Sequence, residues 1–315
     1  MLLFVHCLIL LAYSDNTSEV INEKPNVIIS TDIGGSDPDD YQSMVHLLVY
    51  AHQMNIVGLI SSPPHQGRKE HIEEVIKAYS KDYKKLVKHS REYPSPEYLL
   101  SVTKQGATDS LSTLTPESLS EGAQWIVKQA DKSKNQPVYI LVWGSITDVA
   151  EAVHFEPSIK KKIRVYSIGS WNTKLDVNSR NYLYNNHSDL WWIENNTTFR
   201  GMYMGGYQSE DYGNLSFVEI HVKGHGALGN LFWEKKKDIK MGDTPSVLYF
   251  LNGYINKPEG QSWGGAFIKT NHGPNYWTDN PVDSLKTGDK RGAKTVNIHR
   301  KEYLDDWAHK MSWLK

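Results

Sequence analysis

Thiols are almost absent from this chain: Cys7 is the single cysteine among 315 residues. It lies in an apolar N-terminal stretch, so the rest of the chain has no disulfide framework and no thiolate-held zinc, and must be stabilised by core packing or by a metal held by other ligands. Excess charge is absent too. A formal net charge of −1 gives no electrostatic reason to expect nucleic acid or an anionic membrane as partner. Long apolar runs are also missing, because the stretch Met1–Ala12 falls well short of the ~20 residues that span a bilayer. It reads instead as a removed signal peptide over residues 1–14, cleaved near Ser14, although only the α-amino group supplies the usual positive start. A buried first helix is the competing reading.

Aromatic residues are plentiful, with 10 Trp and 18 Tyr. Such side chains stack on flat or sugar rings, though most of them simply fill cores. Acceptor sequons occur at Asn16, Asn186, Asn195, Asn196 and Asn214, which in a secreted eukaryotic protein are candidate glycosylation sites. The expected location is extracellular, or periplasmic in a bacterium.

Residues 24–315 read as one domain, with no internal repeat and no dividing linker. Pro25–Ser30 is a short apolar run bounded by turn residues and predicts a buried strand. A Gly- and Asp-rich loop follows, then a helix carrying Tyr41, Val45, Leu48, Val49 and His52 on one face. Ile56–Ile60 predicts a second buried strand and Arg68–His89 a long charged helix. Tyr93–Pro96 breaks the chain, and a helix is expected from Thr115–Ser118 to about Ala130. Pro137–Trp143 and Ile163–Ile168 are strands, with a helix beginning near Thr147 between them. Trp171–Gly206 predicts irregular loops lining a pocket, Gly242–Ser246 caps a short helix, and Arg300–Met311 closes the chain as a helix. Alternating strands and helices imply an α/β fold: an open, mostly parallel, Rossmann-like sheet flanked by helices.

Chemistry concentrates in Ser30-Thr-Asp32-Ile-Gly-Gly-Ser-Asp37-Pro-Asp39-Asp40. These carboxylates follow the C-terminal end of the first strand, the edge at which open α/β sheets bind ligands. Carboxylates this close repel one another unless a cation or a proton neutralises them. An all-oxygen, Gly-containing loop suits Ca²⁺ with its six to eight oxygen ligands, and suits Mg²⁺ less well. The plainer alternative is that Asp39 and Asp40 only complement a helix dipole while Asp37-Pro38 makes a turn.

The segment resembles the N-terminal Asp-rich fingerprint of inosine-uridine-type nucleoside hydrolases, with a few residues inserted before the Asp-Asp pair. From about Asn26 to Trp313 the chain resembles the nucleoside-hydrolase-like domain of the bacterial cellulose-binding protein family. The matching stretches include Ser30–Gly35, Asp37–Asp40, Tyr93–Leu99, Val142–Gly144, Gly242–Ser246, Trp263–Gly265 and Asp306–Trp313. The resemblance implies Asp32, Asp40 and Asp243 as metal carboxylates, joined by the backbone carbonyl of Thr147 in the loop Gly144–Asp148. It implies Asp32 as general base, Asp39 as a ligand for a sugar hydroxyl, and Asn185 as a residue orienting the sugar. Two features depart from the enzymes: Gly242 replaces the His that precedes the last metal Asp, and Leu183 replaces a Glu. His65, His225 and His272 are the candidate replacements for the leaving-group acid.

In the aromatic-rich middle, Trp171 and Trp263 are the candidate walls for a sugar. The Trp191-Trp192 pair reads better as part of a strand, one ring on each side. The expected activity is Ca²⁺-dependent hydrolysis of an N-glycosidic or related glycosidic bond; the alternative is a carbohydrate-binding, cellulose-like binding protein without catalysis. Expected partners are a small glycoside or nucleoside, or a polysaccharide, with a homo-oligomer compatible; nucleic acid and membrane are not expected.

Overall fold

The structure, a computed structural model, describes residues 24–35, 37–62, 67–110 and 119–315. The expected signal peptide over residues 1–14, Cys7, Asn16, His65 and the stretch Thr115–Ser118 lie outside them. The order along the chain is β1 (Asn26–Thr31), α1 (Asp39–Val49), β2 (Asn55–Ser61), α2 (Lys69–Leu86), α3 (Pro96–Ser101), β3 (Thr103–Gln105), α4 (Glu121–Lys132), β4 (Val138–Val142), α5 (Thr147–Phe155) and β5 (Ile163–Ile168). There follow α6 (Trp171–Leu175), α7 (Val177–Asn186), β6 (Trp192–Asn195), α8 (Asn214–His221), α9 (Gly226–Lys235), α10 (Thr244–Leu251), β7 (Phe267–Lys269), β8 (Tyr276–Asp279), α11 (Lys294–Asn297) and α12 (Arg300–Ser312).

The strands form one sheet in the order β3-β2-β1-β4-β5-β6-β8-β7. Every pairing is parallel except that of β7 with β8 at one edge. Period-two alternation sends side chains to opposite faces. Val27 and Ile29 of β1, Tyr139 and Leu141 of β4 and Tyr166 of β5 pack with α1, α2, α9, α10 and α12 on one face. Ile28, Ile140, Val142 and Val165 pack with α4 and α5 on the other. The central strands are therefore apolar almost throughout, as a parallel sheet covered on both faces requires.

Trp192 opens β6 and is buried on the second face, with its Nε1 donating to Ser167 Oγ at 2.8 Å. Trp191 packs on the first face against Trp277. The pair thus straddles the sheet as its sequence suggests.

Three expectations need correction. The stretch Trp171–Gly206 is largely regular, carrying α6, α7, β6 and a 3-10 turn at Thr198–Met202. Helix α7 was invisible to periodicity because only Ser179 and Leu183 of it are buried; Asp176 caps it by accepting from the Ser179 N–H. The helix expected from Thr115 begins at Glu121, where the Ser120 hydroxyl accepts from the Ala123 N–H at 3.0 Å. Asn195, one of the sequons, is fully buried, accepting from the Phe199 N–H and donating to the Tyr166 hydroxyl.

The C-terminal helix is anchored by Arg300, which is completely buried. Its guanidinium donates to the carbonyls of Met202 (2.7 Å) and Tyr212 (2.9 and 3.0 Å) and to Asn214 Oδ1 (2.8 Å). These bonds fix the chain that runs on from the 3-10 turn. Arg300→Met leaves several buried acceptors without donors and should cost about 3 kcal/mol of stability, read as a lower urea midpoint; an unchanged midpoint would mean that water replaces the guanidinium there.

Candidate active site

In the order β2-β1-β4-β5 the chain runs outward in both directions from the β1/β4 pair, so the crevice past their C-terminal ends is the topological switch point of the sheet. A cavity of about 450 Å³ opens there. Asp32 follows β1, Trp143 follows β4, Gly169 and Ser170 follow β5, and Phe199 and Arg200 follow β6; all of them line it. The loop ends are packed closely. A Cβ on Gly144 would lie 2.7 Å from Asp32 Cβ and 2.8 Å from its nitrogen, so only glycine lets the two loops meet.

Asp39, Asp40 and Asp243 each present a carboxylate oxygen, and these oxygens lie within 4.8 Å of one another. Asp32 adjoins them, its carboxyl close enough to interact with that of Asp40. The Thr31 hydroxyl also donates to Asp40. Asp40 and Asp243 are buried, while Asp32 and Asp39 are half-buried and face the cavity. Asp243 stands at the N-cap of α10 yet makes no side-chain cap bond, and its Oδ2 is buried without any hydrogen-bond partner. Sequence 242–246 thus starts the helix while leaving its carboxylate free.

Burial raises every carboxyl of the cluster, and the charges of neighbouring carboxylates add to it at Asp39, Asp40 and Asp243. Burial pushes Asp39 up to about 6, with the charge of Asp32 adding to it. Asp40 and Asp243 are raised well above the ordinary carboxylate range, first by burial and then by their acidic neighbours. Asp32 is raised by burial. A set of hard oxygens, one of them orphaned, in a recess that penalises each negative charge is the donor chemistry that a hard divalent cation suits.

Two devices bring Asp243 across from the second half of the chain. The Trp143 indole donates to Ser246 Oγ (2.8 Å), whose hydroxyl donates to the Asp243 carbonyl (2.6 Å). The side chain of Gln42, wholly buried in α1, accepts from the N–H groups of Lys240 and Met241 (both 3.0 Å) and donates to the carbonyls of Lys236 and Asp238. No sequence pattern marks Gln42, because an amide that satisfies a distant loop looks like any polar residue on a helix.

The remaining sequence candidates divide. Trp171 lines the cavity and is 63% exposed at its rim. Asp39 accepts from the Gly242 N–H at 3.2 Å, so it belongs to the carboxylate cluster as much as to a sugar. Thr147 is buried at the start of α5, is not among the residues lining the cavity, and donates its hydroxyl to Asp176 at 2.6 Å. Asn185, which the resemblance implies at the sugar, lies on the exposed side of α7, off the cavity wall. Trp263 is likewise off the wall, its indole donating to Glu302 at 3.0 Å. His225 is turned to the Lys223 carbonyl and His272 stacks on Tyr184; neither lines the cavity. The wall instead carries Asn172, Phe199, Arg200, Tyr203 and Lys240. Of these, Lys240 gave no sequence signal at all.

Among the described residues no helix is long and apolar enough to cross a membrane. No curated protein matches the chain. A nucleoside hydrolase-related protein from Saccharophagus degradans, associated with carbohydrate metabolism, superposes with a TM-score of 0.74 at 24% identity, over 93% of this chain and 72% of that one. The inosine-uridine preferring nucleoside hydrolase from Bacillus anthracis shares the fold at a TM-score of 0.54 and 12% identity, over 91% and 99% of the two chains. The type III effector XopQ, solved with adenosine diphosphate ribose, does so at 0.56 and 9%, over 93% and 94%. Residues 26–267 match the family model described as cellulose-binding Sde182, nucleoside hydrolase-like domain, and the chain belongs to that family.

Proposed function

We propose that this protein is a secreted, Ca²⁺-dependent hydrolase of N-glycosidic or related glycosidic bonds. The observation that carries the reading is the convergence of Asp39, Asp40 and Asp243, with Asp32 beside them, at the floor of a cavity of small-molecule size. Asp32, Asp40 and Asp243 are the proposed charged ligands and the Thr147 carbonyl the neutral one. When bound, the cation supplies Lewis acidity and an anchor for water and sugar hydroxyls.

The protein's own groups then have defined tasks. Asp32, whose proton affinity is raised by burial, takes a proton from the attacking water. Asp39 accepts a hydrogen bond from a sugar hydroxyl. The cluster's negative charge favours the positive charge that develops at the anomeric carbon as the bond to the leaving group stretches. Trp171 offers its ring to the apolar face of the sugar. Secretion rests on the leader Met1–Ser14, and glycosylation is best placed at Asn186, whose side chain is exposed.

One observation favours a second reading, a carbohydrate-binding protein without turnover. Gly242 stands where the resembling hydrolases carry an acid His, and a Cβ there would come within 2.6 Å of Asp39 Oδ2. Retention on insoluble cellulose with no sugar released from a panel of nucleosides and glycosides selects this reading.

Cation dependence follows from the raised carboxyls. Their folded-state affinity for protons exceeds that of the unfolded chain, so without metal these groups cost stability as pH rises from the ordinary carboxylate range, through about 6 for Asp39, with Asp40 and Asp243 raised in the same direction. A cation replaces those protons. At a hundredfold its Kd, Ca²⁺ should raise the melting temperature by roughly 5 °C at pH 8 and by much less at pH 5, checked by calorimetry; an equal shift at both pH values counts against the cluster as the binding site. Asp32→Ala should lower kcat/KM by about a thousandfold with far-UV circular dichroism unchanged, and undiminished turnover in this variant removes Asp32 as the base.

A further inference from the structure

The carboxylate cluster accounts for one part of the cavity. Two cations also line it, Lys240 and Arg200. Lys240 is already paired with Asp37. Arg200 has no carboxylate within ion-pair distance among the described residues: its Nη1 donates to the Tyr203 hydroxyl (3.1 Å), its Nη2 to Ser170 Oγ (3.2 Å), and its Nε is buried without a partner. Asp289 lies close enough to feel the guanidinium, but it is exposed and bonded to Lys290 at 2.7 Å. Hydroxyls satisfy N–H groups without neutralising a charge, and each Nη nitrogen carries a second N–H beyond the one it donates here, so the guanidinium is uncompensated by any carboxylate and has donors to spare.

The surroundings hold this guanidinium in place. Asp279, at the end of β8, accepts from three successive N–H groups, those of Asn196 (3.1 Å), Thr197 (3.1 Å) and Thr198 (2.8 Å). Asn195 Oδ1 accepts from the Phe199 N–H at 2.9 Å. The turn bearing Arg200 is therefore fixed at four consecutive nitrogens. The guanidinium also rests on the Phe199 ring, 4.8 Å from its centroid. Ser170, which receives one of its bonds, is held at φ +61° with its N–H donating to Asn196 Oδ1 at 2.9 Å. A non-glycine residue adopts that backbone only where its surroundings enforce it.

A fixed, unneutralised planar fork on the wall of a ligand cavity suits a carboxylate or phosphate, which it can grip with paired charge-assisted bonds. We propose that Arg200, supported by Ser170 and Tyr203, forms an anion subsite, and that the substrate is a sugar compound carrying a carboxylate or phosphate away from the reacting carbon. This rests on the reading of the cavity as a sugar site. The fork would receive the anionic group while the carboxylate cluster handles the sugar ring.

The test is titration calorimetry of the full chain in Ca²⁺ with two matched pairs of probes, ribose against ribose 5-phosphate and glucose against glucuronate. One anionic member should bind about tenfold tighter than its neutral partner, the gain expected of a charge-assisted hydrogen bond. Arg200→Gln should erase that preference while leaving affinity for the neutral sugar unchanged, which also reports that the variant is folded; Arg200→Lys should restore part of it. Equal affinity within both pairs overturns the subsite but leaves the sugar site standing. A preference that survives Arg200→Gln overturns it too, by assigning the anion to the bound cation. If no sugar of either kind binds, the sugar site fails and the subsite fails with it.

Discussion

Everything about this site follows from carboxylates crowded where water is scarce. Asp40 and Asp243 are buried and come from opposite halves of the chain, and the charges of Asp32 and Asp39 add to burial in raising the proton affinity of both. Left alone, such a group would push its loops apart. The fold resists through bonds made elsewhere: the Gln42 amide on the 236–241 segment, the Trp143–Ser246 bond between strand end and helix start, and the contact of Gly144 with Asp32. A scaffold that holds repelling groups together is preorganised for a positive partner, whether an ion or a developing cation.

The opposite wall of the problem is the fixed cation. Asp279 and Asn195 spend their hydrogen bonds on main-chain nitrogens of 196–199, which makes the last parallel strands of the sheet a mount for Arg200. Acidic and basic parts of the cavity are thus built by separate strand ends. Each can be altered without dismantling the other, and Tyr203, which accepts from Arg200 and senses the charges of Asp39 and Asp243, stands where the two fields meet.

Where local chemistry was dense, the sequence could be read directly. The apolar runs of β1, β4 and β5 announced a covered parallel sheet, and the acidic loop after β1 announced the edge at which the cavity opens. The resemblance added Asp243, which no local pattern would connect with Asp32 across two hundred residues of chain. What stayed hidden had physical reasons. Helix α7 fully buries one apolar side chain, Leu183, so it carries no periodic stripe. The resemblance implies Asn185 at the sugar, but in a helix one step in sequence turns a side chain by about 100°, enough to exchange cavity for solvent. Trp263, followed by two glycines, reads in sequence as a free ring, but Glu302, nearly forty residues on, claims its indole. Gln42 and Lys240 act through partners that lie far away in sequence, which composition and pattern cannot express.

The contact between Gly242 and Asp39 carries a consequence of its own. The Gly242 N–H holds the Asp39 carboxylate, and a Cβ on that residue would press within 2.6 Å of the same oxygen. A side chain at 242 therefore requires the Asp39 carboxylate to turn away from its present place, so the two positions are coupled: what stands at 242 sets how Asp39 faces the cavity.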